Sequence, residues 1–180
     1  MKNKADLEAM YKRSDLTEKE VTSFFKRLEC VDRTFMHGTW KGRELKTKHP
    51  LNGLLEAVPW YGKRFINNED VHPLVFQKKS GLLYNVNPGL LPLQLPLEKI
   101  PEKAMKKAFP FFSPLLHTTE SKARLRMDEN HGKLTAAMIY DQHPIQDLFK
   151  KVDDNTVVGM MDFKKEQKPF FFTLDRVSYY

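Results

Sequence analysis

Residues 121–141 read SKARLRMDENHGKLTAAMIYD, and the fold turns on how this stretch is read. Ala123, Leu125 and Met127 alternate with Arg124, Arg126 and Asp128, which is the period-two pattern of a strand with one buried face. Asn130-His131-Gly132 then supplies residues that tolerate positive φ in a tight hairpin turn. The pattern predicts two antiparallel strands, Ser121–Glu129 and Lys133–Asp141, with His131 exposed at the tip.

The same texture extends to both sides of the hairpin. From Phe35 onward, short β-prone runs are punctuated by Gly, Pro, Asn and Asp. They place eight strands near Phe35–Leu45, Lys63–Asn68, His72–Lys78, Leu82–Asn87, Ser121–Glu129, Lys133–Asp141, Thr156–Lys164 and Pro169–Val177. Eight strands form the smallest closed barrel whose interior holds one small ligand. The expected fold class is therefore mostly β, a single closed or nearly closed antiparallel β-barrel with an N-terminal amphipathic helix and short connecting helices. Residues 1–34 form a helical segment that packs on the barrel, and 35–180 form the barrel itself. Within the barrel, 35–95 and 120–180 are its two halves, and 88–119 is a Pro-rich crossover.

Thr17-Glu18-Lys19-Glu20 has the capping-box spacing, and Val21, Phe24, Phe25 and Leu28 follow at helical intervals, so an amphipathic helix is expected from about Thr17 to Cys30. In the crossover, Pro88, Pro92, Pro96, Pro101, Pro110 and Pro114 leave room only for a short helix from Pro101 through Ala108. Its apolar residues, Leu90, Leu91, Leu93, Leu95, Leu97, Phe109, Phe111 and Phe112, need cover, which favours a packed crossover or lid over a free linker, with a two-domain split at this point as the competing reading. In Tyr140–Asp154, Pro144 suits a first helical turn, and Ile145, Leu148, Phe149 and Val152 fall on one helical face. A short connecting helix is expected there.

The chain has 180 residues, 41% apolar and 29% charged, as in an ordinary globular domain. The formal net charge of +7 comes from Lys and Arg interleaved with Asp and Glu, which reads as a solvated mixed surface and argues against a nucleic-acid partner. The first ten residues lack the apolar core of a signal peptide, no stretch has the length of a membrane span, and Cys30 is the only cysteine. A cytoplasmic protein without disulfides is expected.

Gly38-Thr39-Trp40-Lys41-Gly42 is the most specific short motif. On a strand, Gly38, Trp40 and Gly42 share a face, and the glycines are expected to leave room for the indole to lie flat in the barrel. With this motif the chain resembles the GXWXG-domain family. Members commonly continue into a C-terminal domain of unknown function, which Tyr140-Asp141, Pro144-Ile145, Asp147, Phe149, Val152-Asp153-Asp154, Gly159 and Met161-Asp162 match. That resemblance implies a family but no activity. A looser, architectural resemblance is to lipocalins and calycins, whose first-strand Gly-x-Trp stacks with an Arg near the last strand. Gly38-Thr39-Trp40 and Arg176 match that pattern, although lipocalins are usually exported and often disulfide-bonded. The resemblance implies that Trp40 and Arg176 touch.

His37, His49, His72, His117, His131 and His143 show no metal-ligand spacing, and neither a nucleophile elbow nor a phosphate loop occurs, so no metal or cofactor is expected. Asp141 with His143 could form an acid–base pair, but an acid before Pro144 is better explained as a helix cap. What remains is an aromatic and Met surplus on inward faces. The candidate ligand-binding residues are Trp40, Trp60, Phe76, Tyr84, Met127, Met138, Tyr140, Met161 and Phe172, with Trp40 as floor and the Tyr140 hydroxyl as the orienting group. Gly38, Gly42 and Arg176 are expected to be structural. Three functions stay open on these residues. The first is a protein holding a small hydrophobic or amphipathic ligand. The second is an enzyme or isomerase using His37, Asp141 or His143, and the third is an interaction module with a filled core.

Overall fold

Eight antiparallel strands close on themselves in the computed structural model, which describes residues 2–91 and 100–179, without the Glu102 side chain. The helices α1 (Lys2–Tyr11) and α2 (Glu18–Arg27) come first, followed by a two-residue strand β1 (Glu29–Cys30) and the short helix α3 (Arg33–Met36). Then come β2 (Gly38–Glu44), α4 (Leu54–Ala57), β3 (Trp60–Phe65), β4 (Val71–Gln77) and β5 (Leu83–Asn85). The crossover contributes α5 (Glu102–Phe112), and the chain finishes with β6 (Ala123–Asn130), β7 (Lys133–Tyr140), β8 (Ile145–Asp153), β9 (Thr156–Phe163) and β10 (Phe170–Ser178). The ring runs β2-β3-β4-β6-β7-β8-β9-β10 and returns to β2. β1 adds to one edge of β8, and β5 to β4.

The hairpin expected at 121–141 is β6–β7, paired without interruption from Ala123↔Tyr140 to Asn130↔Lys133. His131 and Gly132 have φ of 53° and 76°, the two left-handed residues that let a two-residue turn match the twist of its strands. β8 corrects the expectation of a connecting helix in Tyr140–Asp154. Ile145, Asp147 and Phe149 face the barrel interior, while Leu148 and Val152 pack outward beneath α1 and α2 with Phe24, Phe25 and Phe171. A strand buried on both faces reads as a near-continuous apolar run, and here that run also matches helical spacing.

The helical parts differ in detail from the expectation. α2 has the capping box, with Glu20 N donating to the Thr17 hydroxyl and Thr17 N to the Glu20 carboxylate, but it ends at Arg27. Glu29 and Cys30 pair with β8 instead. α1 has no amphipathic period and buries Leu7 alone, so its sequence gives no helical signature. α5 continues past Ala108 and through Pro110, because Pro110 lies in the last turn, and the Ser113 amide still closes on the Phe109 carbonyl. Leu93, Leu95, Leu97, Pro92 and Pro96 lie outside the described residues.

The ring is thinnest between β4 and β6, which share only the Val71↔Ala123 pairing. β5 and the Val86↔His117 bridge take the remainder of that edge of β4. A side cluster of Leu74, Phe76, Val86 and Leu116, joined by Tyr84 and Phe109, seals the seam from the crossover. No described helix is long and apolar enough to cross a membrane.

Candidate functional site

One end of the barrel is filled. Trp40, Phe65, Leu125, Met138, Phe149 and Val157 pack there with essentially no exposure. β10 closes onto β2 with Arg176 opposite Trp40, and the guanidinium carbon sits 4.0 Å from the centre of the indole. Arg176 also donates to the carbonyls of Phe35 (2.6 Å) and His37 (2.7 Å), and the Trp40 indole N–H donates to Met36 O (2.7 Å). The Trp–Arg pair thus ties α3 across the closed end. Gly38 is required by its backbone, with φ of 127° and Ser178 O only 2.2 Å from where a Cβ would stand.

The other end is hollow. A cavity of about 590 Å³ opens between the strands, the loop that carries α4, and the crossover. Trp60, Phe76, Tyr140, Met161, Phe163 and Phe172 form its walls, and Leu51, Leu55, Leu90, Ile100, Phe112 and Leu115 lie toward its mouth. Glu44 fixes the mouth loop by accepting hydrogen bonds from Gly53 N and Leu55 N, both at 2.7 Å, and burial pushes its carboxyl above the usual range. The Asn52 side chain braces the same loop by accepting from Thr47 N and His49 N.

The apolar lining is broken by a compact polar cluster. The Lys63 ammonium is 2.8 Å from Asp147 Oδ2, with side-chain exposures of 4% and 1%. It also donates to Pro73 O (3.2 Å) and Tyr140 Oη (3.4 Å) and lies 4.9 Å from the Phe172 ring centre. Neither Asp147 oxygen accepts a well-aligned hydrogen bond among the described residues, and the buried Trp60 indole N–H also lacks a partner there. Burial raises the Asp147 pKa and the facing ammonium partly offsets this, while burial drives the Tyr140 phenol well above its usual value. All three residues border the cavity. Sequence reasoning missed Lys63 and Asp147. Their signal was parity, since Lys63 shares a strand face with Phe65, and Asp147 shares one with Ile145 and Phe149.

Of the candidate residues, Trp60, Phe76, Tyr140, Met161 and Phe172 line the cavity. Trp40 is not its floor. It belongs to the filled layer beyond Lys63, its partner across β2–β3. Met138 is buried in the same layer, and Tyr84 lies behind Phe76 with ring centres 6.0 Å apart. Met127 keeps the inward parity of Leu125, but β6 extends past the packed end and leaves it 37% exposed. Gly42 does not make room for Trp40 either. A Cβ there would stand 2.0 Å from the Trp60 ring, so the glycine seats Trp60 in the cavity wall. His37, Asp141 and His143 stay outside the cavity, on Asn68 (3.3 Å), Arg124 (3.2 Å) and Pro88 O (2.8 Å) respectively. With β8 a strand, Asp141 caps no helix. No cluster able to hold a metal ion occurs among the described residues.

The architecture is shared with a solved structure of a protein from Thermomonospora curvata. It is 31% identical, with a TM-score of 0.73, over 99% of this chain and 100% of that one. No curated protein matches the chain. A family model described as GXWXG protein matches residues 23–81, which carry the Trp40 motif and the first strands of the ring. A second, described as a domain of unknown function (DUF4334), matches residues 121–176, from the first hairpin to the Arg176 closure. The chain therefore belongs to the GXWXG protein family and matches the domain of unknown function DUF4334 over its last five strands.

Proposed function

We propose that the protein binds one small hydrophobic or amphipathic, lipid-like molecule in the barrel cavity. The observation that carries this reading is the hollow of about 590 Å³ with an almost wholly apolar lining. That volume is within the range of small-molecule pockets, and the aromatic and Met walls adapt to a flexible apolar body. A solidly filled interaction module would lack such a hollow. Native mass spectrometry of freshly purified protein should reveal a co-purifying small molecule. Titration with the neutral dye Nile red should saturate in the micromolar range. Met161→Trp, which fills the cavity, should weaken dye binding at least tenfold. Wild-type binding no tighter than millimolar, or binding untouched in a folded Met161→Trp variant, overturns the proposal.

A second reading, an enzyme moving a proton on a bound carbonyl compound, draws on the convergence of Lys63, Tyr140 and Asp147. Asp147 would accept the proton, and the Tyr140 hydroxyl, held by Lys63, would stabilise the enolate. Catalysed exchange of α-hydrogens of a cyclic ketone in deuterated water, lost in Asp147→Asn, supports it. The absence of catalysed exchange removes it.

A further inference from the structure

The polar cluster has an unequal hydrogen-bond balance. The Lys63 ammonium donates to Pro73 O and Tyr140 Oη and is ion-paired with Asp147. Lys63 is therefore already engaged by three protein groups. The Tyr140 hydroxyl accepts from Lys63, and its own hydrogen has no acceptor among the described residues. Asp147 Oδ1 has no donor among them, although the side chain is almost wholly buried and borders the cavity. Asp147 lies opposite Met138 on β7, and Tyr140 is two residues further along on the same face, so the two are diagonal cross-strand neighbours. The Tyr140 donor and the Asp147 acceptor thus border one hollow, whose wall also holds the unpartnered Trp60 indole N–H.

Charge restricts the ligand further. Lys63 and Asp147 cancel, so the cluster is neutral overall. An anionic head group would set a second carboxylate beside Asp147 in a low-dielectric site, and a cationic one would oppose Lys63. A ketone accepts from Tyr140 but leaves Asp147 unpaired, and a hydrocarbon leaves both groups unpaired. A hydroxyl both donates and accepts, and it carries no charge.

We propose that the ligand is an alcohol with an apolar body, whose hydroxyl donates to Asp147 and accepts from Tyr140 at the base of the cavity. This assignment rests on the cavity-binding reading above and names the chemical class of its ligand. The test is displacement of Nile red by four probes of equal chain length at pH 7.5, namely 1-dodecanol, 2-dodecanone, dodecanoate and dodecane. Dodecanol should bind about tenfold more tightly than each of the others, the difference expected from one satisfied buried hydrogen bond. Tyr140→Phe should lower dodecanol affinity by about fivefold to tenfold and leave dodecane unchanged. Asp147→Asn leaves the Lys63 charge uncompensated and should turn the preference toward dodecanoate. If that variant does not fold, Tyr140→Phe alone decides. Dodecanone, dodecanoate or dodecane binding as well as dodecanol overturns the hydroxyl assignment and leaves cavity binding intact. Failure of all four probes, together with failure of Nile red itself, overturns both.

Discussion

Removing either member of the Lys63–Asp147 pair should cost far more stability than removing both. At 2.8 Å the attraction is about 6 kcal/mol for an effective dielectric constant of 20, and desolvation opposes it by several kcal/mol for each ion. The two nearly cancel, so the intact pair adds little net stability. Lys63→Met leaves a carboxylate with no well-aligned hydrogen bond of its own, and Asp147→Leu leaves an ammonium over the Phe172 ring. Each single change should cost about 3–5 kcal/mol, while the double change should lie between neutral and about 1–4 kcal/mol more stable than wild type. The coupling is read from urea unfolding of all four proteins with matched m-values. The Lys63→Met deficit has a pH signature. Burial already raises the Asp147 pKa, and losing Lys63 removes the influence that lowers it. The native state of that variant binds a proton more tightly than the unfolded chain. Its stability should therefore rise as pH falls through the raised Asp147 pKa toward that of the unfolded carboxyl, by at most about 1.4 kcal/mol per pH unit. A double variant as unstable as the sum of the singles, or a Lys63→Met deficit that does not shrink as pH falls from 8 to 4, would refute the buried-pair account.

Trp40→Ala should destabilise by about 3–5 kcal/mol, since the indole is fully buried, carries Arg176 on its face and holds Met36 O. A loss below about 1 kcal/mol in chemical denaturation would contradict that role. Gly42→Ala should cost about 1–3 kcal/mol by overpacking and should also change Nile red affinity, because its methyl must displace the Trp60 ring from the cavity wall. Unchanged dye affinity would argue against that seat for Trp60. Burial depresses the pKa of His49 and of His72, so the unfolded chain takes up their protons first and stability should fall as pH drops below about 6.5. The urea midpoint is expected to be lower at pH 5.5 than at pH 7.5, with a smaller difference when both residues are changed to Asn. A midpoint that rises on acidification would contradict this.

Alternation and turn chemistry are local properties, so the sequence by itself determined the strands it could show. The β6–β7 hairpin follows from Ala123, Leu125 and Met127 with Asn130-His131-Gly132, and the Trp40–Arg176 contact was implied by the resemblance of Gly38-Thr39-Trp40 and Arg176 to the lipocalin pattern. The strand β8 was not legible, because its second buried face exists only where α1 and α2 cover the barrel. Read as a helix, the same residues placed Asp147 on no interior face. The hollow was equally hidden. Parity says which residues point inward, but not at what height along the barrel each one sits. Register puts Trp40 and Met138 in the filled end, Trp60 and Phe172 in the wall, and Met127 beyond the packed end. Lys63 and Asp147 lie 84 positions apart in sequence, and no local pattern couples them. Only closure of the ring brings their charges to 2.8 Å, at the boundary between filled and open interior.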